Sequence, residues 1–372
     1  MNEYLIYPFG KTRSAIKLVN LFLKRIYQSM DTKTQSLESS LTVPSVQELA
    51  LQNPQKVPPR YIRDDDGDDD FCTFPSSDPS LTIPLIDMAK LVNADTQQDE
   101  LHKLHLACKN WGVFQIVNHG VSSLKNMGNQ VKRFFELPLQ EKKRWAQKPG
   151  SLEGYGQAFV TSEVQKLDWN DMIFLKSLPI QNRKLDLWPQ NPPQFRETLE
   201  KYSEEMRQEA TSIVSFITLA LGLEDTKISE SFHEGLYDIR MNCYPPCPEP
   251  ERVLGIIPHA DNSGITLLAD FGDFPGLQFL KDGKWVGVEP IEGAIVANIG
   301  HIIEVMTNGI YKAPEHRAVV NKTKERLSIV TFCYPNPSID IAPAEKLIGE
   351  GNKQVYKSMT HAEYFNRNFE VT

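Results

Sequence analysis

Between residues 236 and 334 the chain breaks into short apolar stretches, and this punctuation constrains its fold more than any other feature. Runs at 236–243, 253–258, 264–270, 276–280, 284–288, 294–299, 302–306, 317–320 and 326–334 are rich in Val, Ile and Phe, with Gly, Pro, Asn and Asp between them. Each is long enough for a strand and short for a helix. Lys281-Asp282-Gly283-Lys284 carries the Asp-Gly pair of a tight hairpin turn. Many short strands without intervening helices hide their apolar faces by forming a sandwich or barrel.

The preceding region is different. Residues 83–87 and 113–117 read as short strands, while 97–110, 122–136 and 194–222 read as helices. Leu199, Tyr202, Met206, Ile213, Ile217 and Leu221 fall at helical spacing within the longest. The expected fold is mainly β with flanking helices (α+β): a double-stranded β-helix, or jelly roll, over 234–336. A mixed helical region over 81–222 shares its core, and 337–372 form a C-terminal segment.

Compact structure is expected to begin near Leu81, because 30–80 are polar and rich in Ser, Pro and Asp. The acidic run from Asp64 to Asp70 lacks the alternating ligands and closing Glu of a calcium loop and reads as a solvated surface loop. Residues 1–29 hold five basic residues and one acidic residue. They suit an organellar transit peptide or an extension upstream of a start at Met30, and the ordinary polar stretch after Met30 favours the second.

A net charge of -8 argues against nucleic acid, which needs a basic surface. No apolar run is long enough to span a membrane. Five scattered cysteines argue against a secreted disulfide framework and for a reducing, cytoplasmic setting. With no apolar stripe left outside the inferred core, a monomer is expected.

The chemistry sits in the strand-rich half. His259-Ala260-Asp261 puts an imidazole and a carboxylate on the same side of an extended segment. His316, just past Asn308-Gly309 and Pro314, supplies a second imidazole. Two histidines and one carboxylate leave metal positions open, as in non-haem Fe(II) oxygenases; a zinc hydrolase can use the same trio. Arg326-Leu327-Ser328 on the next strand decides between them. Its guanidinium and hydroxyl share a face and can grip one carboxylate, and a 2-oxoacid chelating iron at one end needs such an anchor at the other. His102, His105, His119, His233 and His361 lack ligand spacing and read as structural or surface residues. There is no GxSxG nucleophile elbow, and Cys247 reads as an inert core thiol.

HAD, NGIYKAPEHRAVVN and ERLSIVTF resemble motifs of the plant 2-oxoglutarate/Fe(II)-dependent dioxygenases. IRMNCYPPCPEP, IPLIDM and CKNWGVFQIVNHGV extend the resemblance across about Val43 to Asn368. It is nearest to the senescence-related and codeine O-demethylase-like branch. The resemblance implies that His259, Asp261 and His316 bind iron and that Arg326 and Ser328 bind the distal carboxylate of 2-oxoglutarate. Asn242 and Tyr244 would lie near that cosubstrate; Phe332, Tyr155 and Arg240 would line a small-molecule substrate pocket. It further implies O2 as second cosubstrate, ascorbate as reductant, and release of succinate and CO2. Hydroxylation at a methoxy carbon would end in O-demethylation. His301 departs from the family's usual Asp, and Ala260 from its usual Ser. Two other readings stand beside this one: an ascorbate-using or condensing relative on the same fold, and a catalytically weak binding protein.

Overall fold

The computed structural model describes residues 41–52, 55–63, 81–148, 151–157, 160, 162–223, 227–349 and 351–370. The 1–29 segment and the acidic run lie outside the described residues.

Helices come first along the chain: α1 (Val46–Gln52), α2 (Met88–Val92), α3 (Gln97–Asn110), α4 (Leu124–Phe135) and α5 (Leu139–Lys142). The long α6 (Phe195–Ala220) and α7 (Lys227–His233) complete the helical set before the strand-rich region. Between them run β1 (Leu85–Asp87), β2 (Val113–Val117), β3 (Gly154–Gly156) and β4 (Asp171–Leu178). The second half adds β5 (Leu236–Tyr244), β6 (Ile256–His259), β7 (Ile265–Asp270), β8 (Leu277–Lys281), β9 (Lys284–Gly287) and β10 (Ile295–Ile299). After α8 (His301–Met306) come β11 (His316–Ala318), β12 (Arg326–Tyr334) and α9 (His361–Glu370).

Two sheets result. The larger has the order β1-β2-β10-β7-β12-β5-β4-β3, and the smaller β6-β11-β8-β9. Their facing sides interdigitate: Leu268, Val296 and Val330 of the large sheet pack with Leu277, Phe279 and Val286 of the small one. The alternate residues Ile239, Met241, Leu267 and Ile329 point the other way and form a second core with Tyr202, Met206 and Ile213 of α6. Period-two strands thus serve two cores, and the period-3.6 stripe of α6 covers the outer one. This is the expected jelly roll with helices on one side. Gly112 ends α3 at φ +68°, donating to the Ala107 and Cys108 carbonyls, a left-handed cap that favours glycine. A Cβ there would stand 2.4 Å from the Lys312 carbonyl oxygen.

Two expectations are corrected. Residues 302–306 form α8, not a strand. The Ile302, Ile303, Val305 and Met306 side chains are all buried, and a short apolar run wholly in the core looks alike in either conformation. The backbone decides: Gly300 precedes the helix, and the His301 and Ile302 N–H groups donate to the Asp261 and Ser263 carbonyls. Compact structure also begins well before Leu81. Val46, Val57 and Tyr61 are buried with Trp169 and Tyr244. The buried Asp171 carboxylate holds this segment down, accepting from Ser45 Oγ (2.5 Å), Val46 N (2.8 Å), Gln47 N (3.1 Å) and Tyr155 Oη (3.3 Å).

Removing that carboxylate strands several buried donors at once. Asp171→Ala is expected to cost about 3 kcal/mol of unfolding free energy, read as a lower urea midpoint. A midpoint equal to wild type would show that Asp171 does not hold the segment.

Candidate active site

The site lies inside the jelly roll, where the small sheet faces the large one. β6 ends at His259, and Asp261 follows two residues later. His316 opens β11, directly opposite His259 in the antiparallel register. Ligand atoms of His259, Asp261 and His316 all lie within 4.8 Å of one another, the one such His/Cys/Asp/Glu group among the described residues. Asp261 Oδ1 is 3.6 Å from His259 Nε2 and 3.7 Å from His316 Nε2. Each Nδ1–H points at a backbone carbonyl, Ile257 at 2.8 Å and Pro314 at 3.2 Å. That choice of tautomer leaves both Nε2 lone pairs facing the carboxylate.

Electrostatics suits a divalent cation. Burial first, and His316 second, push His259 down to about 4 despite the pull of Asp261, so its ring is neutral near neutral pH. Burial would raise the Asp261 carboxyl, but the two histidines and hydrogen bonds from Asn298 and Thr266 outweigh it and hold the group below its usual range. An ionised carboxylate and a neutral imidazole are the forms that bind metal. Asp261 Oδ2 accepts from Thr266 Oγ1 (2.6 Å) and Asn298 Nδ2 (2.9 Å), which leaves Oδ1 toward the histidines. Thr266 and Asn298 are cross-strand partners on β7 and β10.

The second cluster is set by one register, β12 against β5. Arg326 lies opposite Tyr244, Ser328 opposite Asn242, Val330 opposite Arg240 and Phe332 opposite Asp238. Arg326 is 1% exposed. Its Nε and Nη2 donate to Asp270 Oδ2 at 3.0 and 2.7 Å, and its guanidinium carbon lies over the Tyr244 ring, 5.0 Å from the centroid. Burial works against its charge, but Asp270 and Tyr244 outweigh it and strengthen the cationic form. Gly276 makes room, since a Cβ would lie 2.6 Å from Arg326 Cδ. Asn242 Nδ2 donates to Ser328 Oγ at 3.2 Å, and Arg240 Nε donates to Asn242 Oδ1 at 2.7 Å.

Phe332 and Arg240 face the same interior. Tyr155 does not. Its β3 position pairs with Ile173 on the outer face of the sheet, and its ring is buried beside Phe134 of α4. The pocket assignment is therefore corrected for Tyr155, because residues of one strand alternate faces.

Residues 236–335 match the 2OG-Fe(II) oxygenase superfamily, and residues 83–191 match the N-terminal family described as non-haem dioxygenase in morphine synthesis. Protein SRG1 of Arabidopsis thaliana is 43% identical over 344 residues, covering 90% of this chain and 94% of that protein. The chain belongs to the 2OG-Fe(II) oxygenase superfamily. This oxygenase is also 41% identical over 355 residues to oxoglutarate-dependent flavonoid 7-O-demethylase 1 of Ocimum basilicum, covering 95% of this chain and 94% of that protein. A crystal structure of JOX2 in complex with 2OG, Fe and JA superposes with a TM-score of 0.78 at 32% identity, over 90% of this chain and 95% of that one. The oxygenase is thus an Fe(II)- and 2-oxoglutarate-dependent oxidoreductase.

Sequence reasoning missed the groups that steady these side chains. Thr266, Asp270 and Asn298 sit at inward positions of strands whose other inward residues are apolar, and that polar interruption was the available signal. Glu304 of α8 was missed as well. It accepts from Ala313 N (2.8 Å), Lys312 Nζ (3.1 Å) and Tyr356 Oη (2.5 Å), and His301 Nδ1 is 3.5 Å away. These bonds tie α8, whose His301 N–H holds the Asp261 carbonyl, to the segment entering His316. The Tyr364 hydroxyl of α9 donates to the Asn262 carbonyl at 3.1 Å.

Burial opposes the Glu304 charge, but the hydrogen bonds from His301, Tyr356 and Ala313 prevail and carry its pKa down to about 2. An unfolded chain titrates at roughly 4.3. The stabilisation is complete above that value and is lost as pH falls toward 2. Glu304→Gln is expected to cost about 2–3 kcal/mol near pH 7, with a smaller gap from wild type at about pH 3, read by urea unfolding. An equal gap at both pH values would remove this role from Glu304.

Proposed function

We propose that this oxygenase holds Fe(II) through His259, Asp261 and His316 and binds the distal carboxylate of 2-oxoglutarate on Arg326 and Ser328, with Asn242 and Tyr244 beside them. Its reaction is hydroxylation, O-demethylation or desaturation of a small plant specialised metabolite or hormone precursor. For hydroxylation, 2-oxoglutarate, O2 and R–H give succinate, CO2 and R–OH. When bound, iron supplies the redox chemistry with O2 that couples decarboxylation to substrate oxidation, and ascorbate keeps it ferrous.

The chain's own work is positional. Thr266 and Asn298 aim the Asp261 carboxylate, and the Ile257 and Pro314 carbonyls orient the two imidazoles. Asp270 fixes the guanidinium of Arg326 so that little conformational freedom is lost when a second carboxylate arrives. The apolar inter-sheet core keeps bulk water from the space between. The observation that carries the reading is the location of a two-histidine, one-carboxylate trio and a buried Arg-x-Ser on the inner walls of one jelly roll. The flavonoid demethylase relative supports a small-molecule substrate. A cytoplasmic monomer fits the buried free thiols found among the described residues, Cys108, Cys243, Cys247 and Cys333, and an α6 face spent on its own sheet; light scattering on the pure protein tests the monomer.

Purified protein with Fe(II), ascorbate, O2 and labelled 2-oxoglutarate is expected to release succinate slowly without substrate. His259→Ala and Arg326→Ala should each abolish that release. No succinate from wild type, with or without a broad substrate panel, would overturn the cosubstrate assignment. Asn298→Ala is expected to weaken metal binding by about ten- to a hundredfold, read by Co(II) absorption titration; unchanged affinity would show that Asn298 does not steady Asp261.

A further inference from the structure

The ladder of the large sheet places five inward side chains in one row: Lys176 of β4, Asp238 of β5, Phe332 of β12, Thr266 of β7 and Asn298 of β10. Thr266 and Asn298 hold Asp261, so this row lies at the level of the metal-ligand trio. Toward β4 the walls change character. Asp238, Arg240, Phe174, Lys176 and Phe332 each keep some solvent contact, whereas the alternate outer-face residues Tyr237, Ile239, Ile173 and Leu175 are fully buried. The inner face is therefore reachable from solvent there.

Asp238 is the anionic member of that wall. Its carboxyl accepts no hydrogen bond, and no ion pair within 4.0 Å reaches it, among the described residues. Burial pushes it up to about 7, Lys176 pulls the other way, and the nearby Glu153 carboxylate adds to the rise. Arg240, the nearest cation on its own strand, is turned toward Asn242. Directly across the ladder stands the Phe332 ring, within about 5.5 Å between Cβ atoms. A carboxylate beside an aromatic face is the combination that receives a protonated nitrogen.

We propose that Asp238 selects the substrate of this oxygenase by pairing with a basic nitrogen, the attached ring lying against Phe332. The inference rests on the function proposed above and narrows its substrate class to ring-bearing amines. Two strand spacings of about 4.8 Å separate Asp238 from Thr266. The nitrogen thus sits on the order of 10 Å from the hydroxyl that supports the Asp261 carboxylate, roughly the reach of a fused-ring skeleton.

The test compares two probes of one shape on the protein loaded anaerobically with Fe(II) and 2-oxoglutarate: a methoxy-substituted N-methyl tetrahydroisoquinoline and its carbocyclic isostere, the methoxytetralin. Calorimetric Kd values should favour the amine by at least about tenfold. Asp238→Asn should bring the ratio close to one, while Asp238→Glu, which keeps the charge, should retain part of it. Lys176→Met should leave or raise the amine preference, because it removes a competing cation. A wild-type ratio near one, an unchanged ratio in Asp238→Asn, or a loss of preference in Lys176→Met would each overturn the proposal. Substrate-free succinate release separates the two readings: wild type that turns over 2-oxoglutarate but ignores the nitrogen loses only the amine assignment.

Discussion

The pairing of β12 with β5 is the constraint on which the rest of the interior depends. One antiparallel register over nine residues puts Arg326, Ser328, Val330 and Phe332 on the inner wall, opposite Tyr244, Asn242, Arg240 and Asp238. A slip of one residue would turn Leu327, Ile329 and Cys333 inward and drive a guanidinium into the apolar layer beneath α6. The buried Arg326–Asp270 pair resists that slip, because separating it leaves an uncompensated charge in the core. Register, charge placement and pocket lining are therefore one fact seen at three scales.

The metal-ligand trio follows a different logic. Its three members come from the small sheet and the turn after β6, but the groups that hold its carboxylate belong to the large sheet. The site exists only when both sheets are in place. Glu304 adds a third tie from outside the strands, so the loop after β6, helix α8 and the entry to β11 behave as one polar assembly.

Much of this was legible in the sequence where a local rule suffices. Residues 97–110 and 113–117 could be bounded because a helical stripe, a glycine cap and a β-branched run succeed one another there. His259 and Asp261 could be paired because an i, i+2 spacing needs only an extended chain, and the structure brings His316 to them. What stayed hidden needs partners far along the chain. Strand β4 carries apolar residues on both faces, Met172 and Phe174 on one and Ile173 and Leu175 on the other, so its sequence lacks the alternation that would betray it. The hold of Asp171 on Ser45 spans a separation of 126 residues. Thr266, Asn298, Asp270 and Asp238 look like ordinary polar residues until the ladder assigns their neighbours. Tyr155 was misassigned for the same reason, since a one-residue difference in register decides which face a strand residue meets.

Sheet order also governs how such a chain can fold as it is made. The edges of the large sheet, β1-β2 and β4-β3, come from the first half, and the strands between them, β10, β7, β12 and β5, come from the second. Neither N-terminal edge has a lateral partner to complete it until the later strands have left the ribosome. The early helices must wait with apolar faces uncovered, and closure is dominated by contacts distant in sequence, which fold slowly. The same interleaving that joins both halves in one interior leaves apolar surface of the nascent N-terminal half open to aggregation until the second half is made.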